Sequence, residues 1–213
     1  MLSIFTGTPG SGKSVHATKL ALDYLKKGRH VLCNYELDTE KIPNPNLYEY
    51  VPNKNLNPKD LIMRAIEYQN GRIVEDSVLL IIDEAAAVFN ARSWMQRDRS
   101  DWITFFTQSR KLGYMVVVVA QRDSMIDKQI RDVFEYEFRH YKIANYGMTG
   151  WLFGLLFNGK LHLSKQIYHP TGDTLGSKFF IVKRDVYEVY DTFAIVSDVG
   201  TSNQKKSLTV DAK

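Results

Sequence analysis

The segment Gly7–Ser14 (Gly-Thr-Pro-Gly-Ser-Gly-Lys-Ser) constrains the fold of this chain more than any other feature of its sequence. It follows a short apolar run, Leu2–Phe5, and precedes a stretch with apolar residues at helical spacing that ends at Gly28. The segment matches the pattern G-x-x-x-x-G-K-[ST] in full. Glycines let backbone N–H groups point inward, and the helix N-terminus adds a favourable dipole. The sequence therefore predicts a loop between a strand and a helix that cradles a phosphate group.

This loop predicts the binding of a nucleotide with its metal ion. We expect Lys13 to reach the β- and γ-phosphates of ATP and Ser14 to ligate Mg²⁺. The residues predicted to contact the nucleotide are Gly7, Thr8, Pro9, Gly10, Ser11, Gly12, Lys13, Ser14 and Val15. A chance glycine-rich turn is the alternative, and the flanking strand and helix argue against it.

A second motif, Val78–Glu84, consists of five apolar residues followed by two acids. Its continuous apolar run is typical of a parallel strand buried on both faces. Asp83 is predicted to hold Mg²⁺ at the carboxyl end of this strand, and Glu84 to polarise an attacking water as a general base. A carboxylate directly after the metal ligand favours hydrolysis over transfer to a small-molecule acceptor. The alternative is a buried strand that ends in two solvated acids.

Two further side chains are candidates for the same chemistry. Gln121 follows a second buried strand, Met115–Val119, and is predicted to sense the γ-phosphate or the attacking water. The alternative is a solvent-exposed loop glutamine. Arg110 is our first choice among the nearby arginines for a residue that acts in trans on a neighbour's nucleotide. It lies one turn before the junction between Gly113 and the following strand, where we expect the nucleotide of a ring neighbour to sit.

Strands that alternate with helices predict an α/β fold, namely a P-loop NTPase with three α/β/α layers and a mainly parallel sheet. We expect residues 1–195 to form this domain, with 134–195 as a β-rich C-terminal addition to it and 196–213 as a polar, flexible tail.

Individual elements are predicted by the same local patterns. Four of the six prolines lie in residues 41–58, which we interpret as a long loop without a fold element. The alternation over 134–139 predicts a half-exposed strand. The remaining predicted elements are strands 30–33, 161–168 and 179–182 and helices 58–69 and 102–112.

Composition excludes several classes of protein. The chain has 44% hydrophobic and 24% charged residues, which is ordinary globular usage and excludes a disordered or fibrous chain. A single cysteine, Cys33, excludes an internal disulfide and favours a reducing compartment. No apolar run reaches the roughly 18 residues that cross a bilayer, and the first residues lack the pattern of a signal peptide. The five histidines show no metal-site spacing with cysteine, so we expect them to be structural or exposed.

The positive charge of the chain is concentrated in one region. The net charge is +4, yet residues 139–184 contain seven Lys or Arg against one acid, Asp173. Tyr141, Tyr146, Tyr168 and Phe179 are interleaved with these cations. Cations for phosphates and aromatic faces for bases suit single-stranded nucleic acid, while a solvated rim with buried aromatics explains the pattern equally well.

An apolar segment lies inside this basic region. Trp151–Phe157 is too short to span a membrane. We favour a place in the core or against a sister subunit, with peripheral membrane docking as the alternative.

Eight further stretches of the sequence belong together. They are Asp83–Ala85, Phe89, Arg92–Ser93, Gln108–Gly113, Gln121, Met125–Asp132, Phe138–His140 and Val186–Thr192. Together they resemble the zonular occludens toxin (Zot) domain family, which includes the assembly ATPases of filamentous phages. The resemblance covers residues 1–195, and the strand followed by Gln121 is more distantly similar to DNA-pumping ATPases of the FtsK/HerA type.

The resemblance implies a Mg²⁺-dependent ATPase that forms a homo-oligomeric ring, with a hexamer as one candidate. It implies extrusion of single-stranded phage DNA, together with phage coat or assembly proteins, from the host cytoplasm at the inner face of the cytoplasmic membrane. Family members typically continue into a transmembrane helix, and this sequence has no matching run, so we expect peripheral contact or contact through a partner. The residues that carry over are Gly12, Lys13, Ser14, Asp83, Glu84 and Gln121. The alternatives are a pump for double-stranded DNA in packaging or conjugation, and a nucleotide-regulated scaffold with little turnover.

Overall fold

A computed structural model of the chain describes residues 1–69, 72–89, 96–145, 147–157, 160–181 and 184–190. Several sequence predictions, including the polar tail, lie outside the described residues: Arg92–Ser93, Tyr146, Lys183, and 191–213.

The described residues form an eight-stranded sheet. Its strands are β1 (Leu2–Thr6), β2 (His30–Cys33), β3 (Tyr48–Tyr50), β4 (Val78–Ile82), β5 (Tyr114–Val119), β6 (Tyr136–Lys142), β7 (Leu161–Tyr168) and β8 (Asp173–Ile181). The spatial order is β3-β2-β4-β5-β1-β6-β7-β8. All pairings among β1 to β6 are parallel, while β7 and β8 continue the sheet in antiparallel fashion.

Helices cover both faces of this sheet. They are α1 (Lys13–Lys26), α2 (Pro58–Tyr68), α3 (Ala85–Val88), α4 (Gln96–Gln108), α5 (Lys128–Arg131), α6 (Gly147–Leu156) and α7 (Arg184–Val189). Leu80 and Ile82 of β4 pack in the core that contains α2, α4 and α5, whereas Leu79 and Ile81 pack in the core that contains α1 and α7. Because both faces are buried, the strand is apolar at every position. The predicted three-layer α/β/α fold is therefore confirmed.

The prediction of a structureless loop over residues 41–58 was wrong. Tyr48–Tyr50 forms β3, an edge strand in which Val31 of β2 lies opposite Tyr48. The Tyr48 hydroxyl donates to the Tyr35 carbonyl at 2.9 Å, and Arg64 of α2 pairs with Glu49 at 2.7 Å. These contacts come from distant parts of the chain and override the local proline signal, since prolines outside a short edge strand do not interrupt its ladder.

Two predicted boundaries also shift. The helix predicted over 102–112 runs from Gln96 to Gln108, and the following residues form turns. Ser109 contributes to this end, because its hydroxyl donates to the Phe106 carbonyl at 2.8 Å and competes with helix continuation. The strand predicted over 179–182 begins at Asp173 and pairs along its length with β7.

The strand predicted as half-exposed lies inside the sheet. β6 is paired with β1 on one side and β7 on the other. Glu137, which alternation placed toward solvent, is only 5% exposed. Its carboxylate accepts a hydrogen bond from Thr6 and pairs with Arg139 at 2.9 Å, so a buried acid is kept by specific partners.

The apolar segment within Trp151–Phe157 is not in the core. Trp151, Leu152, Leu155 and Leu156 are each more than half exposed on α6. The interpretation as core is therefore wrong, and contact with a sister subunit or a membrane stays open. Within the described residues, no helix has both the length and the apolarity to cross a membrane.

A pair of histidines, of which His140 is buried and His16 half-buried, joins α1 to β6 beside the phosphate loop. His16 Nδ1 and His140 Nε2 are 2.7 Å apart, and His16 stacks on Phe5 with ring centroids 5.0 Å apart. Burial lowers the pKa of His16 to about 4 and that of His140 to about 3. Both side chains are therefore neutral in the folded protein near pH 7, whereas in the unfolded chain they titrate near their ordinary value.

We expect the free energy of unfolding to fall as the pH is lowered from about 6.5 toward 4, because the unfolded chain then binds protons that the folded protein excludes. Each histidine contributes up to about 1.4 kcal/mol per pH unit in this window. Urea unfolding at about pH 7 and about pH 5.5 measures the loss, with His16→Gln expected to reduce it. An equal loss in the variant and the parent would contradict this assignment.

Candidate nucleotide-binding site

The loop after β1 has the backbone that a phosphate site requires. Gly12 caps α1 with φ of 94°, and the helix begins at Lys13. Lys13 Nζ lies 2.8 Å from the Gly7 carbonyl oxygen and 3.1 Å from that of Thr8. Burial lowers the pKa of Lys13, and the nearby Asp83 charge opposes that shift. The ammonium group is therefore held over the loop, where a phosphate would replace its carbonyl partners.

Glycine is required at two positions of the loop because other strands approach it closely. A Cβ at Gly7 would lie 2.4 Å from the carbonyl oxygen of His140, and one at Gly12 would lie 2.8 Å from His162 Nδ1. Both residues also have positive φ, 141° and 94°. The phosphate loop thus packs directly against β6 and β7.

The two predicted metal ligands lie together. Asp83 follows β4 and is 8% exposed. The hydroxyls of Ser14 and Tyr190 lie beside its carboxylate, and the backbone N–H of Glu84 donates to Oδ1 at 2.8 Å. Burial raises the pKa of Asp83, and the hydrogen bonds and the Lys13 charge counter this rise. The buried carboxylate therefore favours the approach of a cation.

This donor set fits Mg²⁺. A hydroxyl and a carboxylate are hard oxygen ligands, and Mg²⁺ in nucleotide sites commonly takes one or two protein ligands, with water and phosphate completing its shell. Among the described residues, no cluster of three or more His, Cys, Asp or Glu suits a metal ion. Ser14 and Asp83 stay the residues predicted to hold the ion.

Asn34 positions Asp83, and the sequence interpretation missed it. Its Nδ2 donates to the Asp83 carbonyl at 2.8 Å, and its Oδ1 accepts from the Asp83 N–H at 2.6 Å. Nδ2 also donates to Asn53 Oδ1 at 2.7 Å. A polar residue directly after the buried strand 30–33 was the signal that was available, because parallel strands end at one edge of the sheet.

We expect Asn34→Leu to weaken binding of Mg²⁺ and nucleotide and to reduce stability by about 1–3 kcal/mol, because both polar backbone groups of Asp83 lose their partner. Calorimetric titration and urea unfolding measure the two effects. Asn53→Ala is the matched control, since it leaves both bonds between Asn34 and Asp83 in place. Equal behaviour of the two variants would exclude the positioning role.

Glu84 has an unusual backbone next to this centre. Its φ is 48°, in the left-handed region that non-glycine residues rarely adopt. The residue is exposed and caps α3. Strain of this kind is commonly kept where function requires it, so the conformation supports a catalytic role as a hypothesis.

Gln121 also lies beside the phosphate loop. Its carbonyl oxygen accepts a hydrogen bond from the Gly7 N–H at 3.2 Å, and its exposed side chain lines a cavity of about 290 Å³. Thr6, Thr8 and Arg139 line the same cavity. The structure therefore brings Gln121 to the loop, and its role as a sensor stays a prediction.

Arg110 lies away from these groups. It precedes β5, so it is at the amino edge of the parallel strands, whereas the phosphate loop and Asp83 are at the carboxyl edge. Its Nε is 2.5 Å from Glu75 Oε1. Action on the nucleotide of its own subunit is excluded by this position, and action on a neighbour's nucleotide stays a prediction.

Two more residues complete the site from distant parts of the chain. His162 Nδ1 lies 2.8 Å from the Ser11 carbonyl oxygen, and its Nε2 is buried without a hydrogen-bond partner among the described residues. Burial lowers the pKa of His162, which favours the neutral ring with Nδ1 as donor. Burial, and next the Asp83 charge, raises the pKa of Tyr190 to about 12, so its hydroxyl stays a donor to Asp83. Nothing in the local sequence pattern assigns either role.

We expect His162→Leu to weaken nucleotide affinity by about fivefold, because one hydrogen bond that supports the loop is worth about 1 kcal/mol. A fluorescent ATP analogue measures the change. His30→Leu is the control, since His30 stacks on Tyr68 at the opposite edge of the sheet. The idea fails if both variants bind the analogue as the parent does.

Comparison with known proteins gives the chain relatives of two kinds. The family model described as zonular occludens toxin (Zot) matches residues 1–193. The Gene 1 protein of Escherichia phage If1 is 29% identical over 210 residues, which cover 92% of this chain and 59% of that protein. The chain therefore spans less than two thirds of the length of this relative.

Solved structures with the same fold include two that cover most of the chain. The N-terminal domain of zonular occludens toxin from Neisseria meningitidis has a TM-score of 0.53 at 20% identity, and covers 89% of this chain and 97% of that one. The DNA-packaging ATPase from Sulfolobus turreted icosahedral virus has a TM-score of 0.53 at 15% identity, with 85% of this chain and 97% of that one covered. At these identities the likeness concerns the fold.

Proposed function

Because the chain belongs to the zonular occludens toxin (Zot) family, we propose that it is an ATP-hydrolysing motor for the assembly and extrusion of a filamentous phage. The observation that carries the proposal is the proximity of Ser14 to the buried Asp83 carboxylate beneath a complete phosphate loop. This pair supports the proposal, because a hydroxyl and a carboxylate there would hold Mg²⁺ beside the terminal phosphates.

Each group in the site has a part in the proposed reaction. Lys13 and the N–H groups of the loop bind the phosphates and offset their charge. Bound Mg²⁺, held by Ser14 and Asp83, supplies further charge neutralisation at the phosphate oxygens. Glu84 accepts a proton from the attacking water, and Gln121 orients that water or the γ-phosphate.

The proposed substrate of the motor is single-stranded phage DNA at the inner face of the host membrane. Support comes from the cationic segment 139–184 and from the Gene 1 proteins of filamentous phages among the relatives. We propose that the chain acts as a homo-oligomeric ring with phage assembly or coat proteins as partners, and that Arg110 completes a neighbour's site. In such a ring, the guanidinium group of Arg110 would contact the nucleotide bound to the neighbouring subunit, because it cannot reach the nucleotide of its own subunit.

Phosphate release with ATP and Mg²⁺ tests the proposed activity. We expect Glu84→Gln to lower kcat by about 100-fold or more, because a general base contributes about 10²–10⁴, while ATP binding is kept. Glu67→Gln is the control, since it makes the same change on the exposed side of α2. We expect stimulation of the parent by single-stranded DNA.

Other outcomes identify other functions. Stimulation by duplex DNA alone would indicate a packaging or conjugation pump. ATP binding without turnover, unchanged by Glu84→Gln, would indicate a scaffold and would overturn the motor.

A further inference from the structure

The exposed face of α6 has the spacing of a face that helices normally bury. Met148, Trp151, Leu152, Leu155 and Leu156 follow the pattern i, i+3, i+4, i+7, i+8, and they are between 53% and 87% exposed. In a surface helix this pattern forms the stripe that packs on the core. Here the stripe is exposed to solvent, which is typical of a surface that a binding partner covers.

Neighbouring residues extend this surface. Ile181 of β8 lies opposite Leu161, the first residue of β7, and Phe179 lies opposite Leu163. This register places Phe179 and Ile181, 67% and 49% exposed, at the end of the sheet from which α6 projects. We call these two residues and the five on α6 the α6 surface. Scattered single apolar residues are ordinary on a protein, but five exposed apolar residues on one face of a helix are not.

The charge around the α6 surface is of one sign. Lys142 ends β6 before α6, and Lys160 precedes β7 after it. Neither lysine forms an ion pair with another described residue. Between Arg139 and Asp173 the sequence has no Asp or Glu. The surroundings of α6 are therefore complementary to an anionic partner.

We propose that the α6 surface inserts into the headgroup region of a membrane that contains anionic phospholipids. A helix of ten residues is about 15 Å long, so it fits in the plane of the interface and does not span the hydrocarbon core. Trp151 is of the residue type that anchors at this depth, and the flanking lysines would contact lipid phosphates. The inference rests on the proposed function, because it names how the motor contacts the membrane.

Two other partners suit this surface less well. Bases stack on aromatic faces, whereas four of the five residues on the α6 stripe are aliphatic or Met, so nucleic acid would leave them unburied. A second copy docked through the same face would bring its own lysines against these lysines, with no acid nearby. A membrane matches both features: its acyl chains would contact the apolar stripe, and its anionic headgroups would contact the lysines.

Flotation of the full chain with vesicles, without nucleotide, tests the proposal. We expect binding to phosphatidylcholine vesicles with roughly 30% phosphatidylglycerol, weaker binding to pure phosphatidylcholine, and release by about 0.5 M salt. The double variant Leu152→Asp, Leu155→Asp should lose binding by at least about tenfold, since two apolar contacts become charged. Met63→Asp is the matched control, because Met63 is 65% exposed on α2, outside the α6 surface.

Fluorescence gives a second measurement that does not depend on the charged variants. Trp151 should shift its emission to shorter wavelength when anionic vesicles are added, and Trp151→Phe should abolish the shift. The measurement uses a Trp94→Phe background, because Trp94 is the third tryptophan of the sequence. Trp102, which is 3% exposed, should contribute no shift of its own. An emission shift that survives in Trp151→Phe would overturn the placement of α6 in the interface.

The remaining outcomes also decide the matter. Absence of vesicle binding, or equal loss in the Met63→Asp control, would overturn the proposal. An oligomer or a complex with single-stranded DNA that forms through Leu152 and Leu155, without vesicle binding, would assign the surface to that partner instead. Phosphate release is measured separately. Vesicle binding without ATP turnover would overturn the proposed ATPase activity but support the membrane contact of α6. ATP turnover without vesicle binding would support the ATPase activity but overturn the membrane contact.

Discussion

Parallel pairing of β1, β2, β4, β5 and β6 brings the carboxyl ends of these strands to one edge of the sheet, and the candidate site depends on this constraint. The phosphate loop follows β1, Asn34 follows β2, Asp83 follows β4, and Gln121 lies just beyond β5. These residues are far apart in the chain, and the common direction of the strands that precede them brings them to the same edge of the sheet. The same rule places Arg110, which precedes β5, at the opposite edge.

Burial leaves the charges at this edge only partly compensated. Asp83 has lost most of its water, and the partners that offset this loss are hydrogen bonds and the Lys13 ammonium group. Lys13 is itself partly desolvated and bonded to the carbonyls of Gly7 and Thr8. Neither charge is fully compensated by the protein alone. A metal ion on Asp83 and a phosphate on Lys13 would compensate both, so ligand binding and stability of this edge are linked.

The local structure is predictable where one continuous segment determines it. The phosphate loop and the strand ending at Asp83 are each a single stretch whose residue types determine the local structure, and their chemical roles stay predictions. The places of His162 and Tyr190 beside the site are not predictable from local patterns, because they arise from contacts across the fold: His162 and Ser11 are 151 residues apart. β3 was missed because tertiary hydrogen bonds override the local signal of the prolines.

The buried Glu137 shows a related limit of sequence patterns. Alternation predicts which side chains share a face, but not which of them are covered, and Glu137 is buried in contact with Thr6 and Arg139. The α6 surface shows the same limit, because the sequence identified the apolar segment Trp151–Phe157 but not its exposure.

The β6–β7 pair gives the site and the α6 surface a common support. The carbonyl of His140 on β6 packs against Gly7, and His162 on β7 packs against Gly12. α6 lies between these two strands in sequence, and Lys142 lies opposite His162 in the ladder. One residue separates Lys160, beside the α6 connection, from His162. The phosphate loop and the surface proposed to meet the membrane are therefore both supported by one hydrogen-bonded ladder.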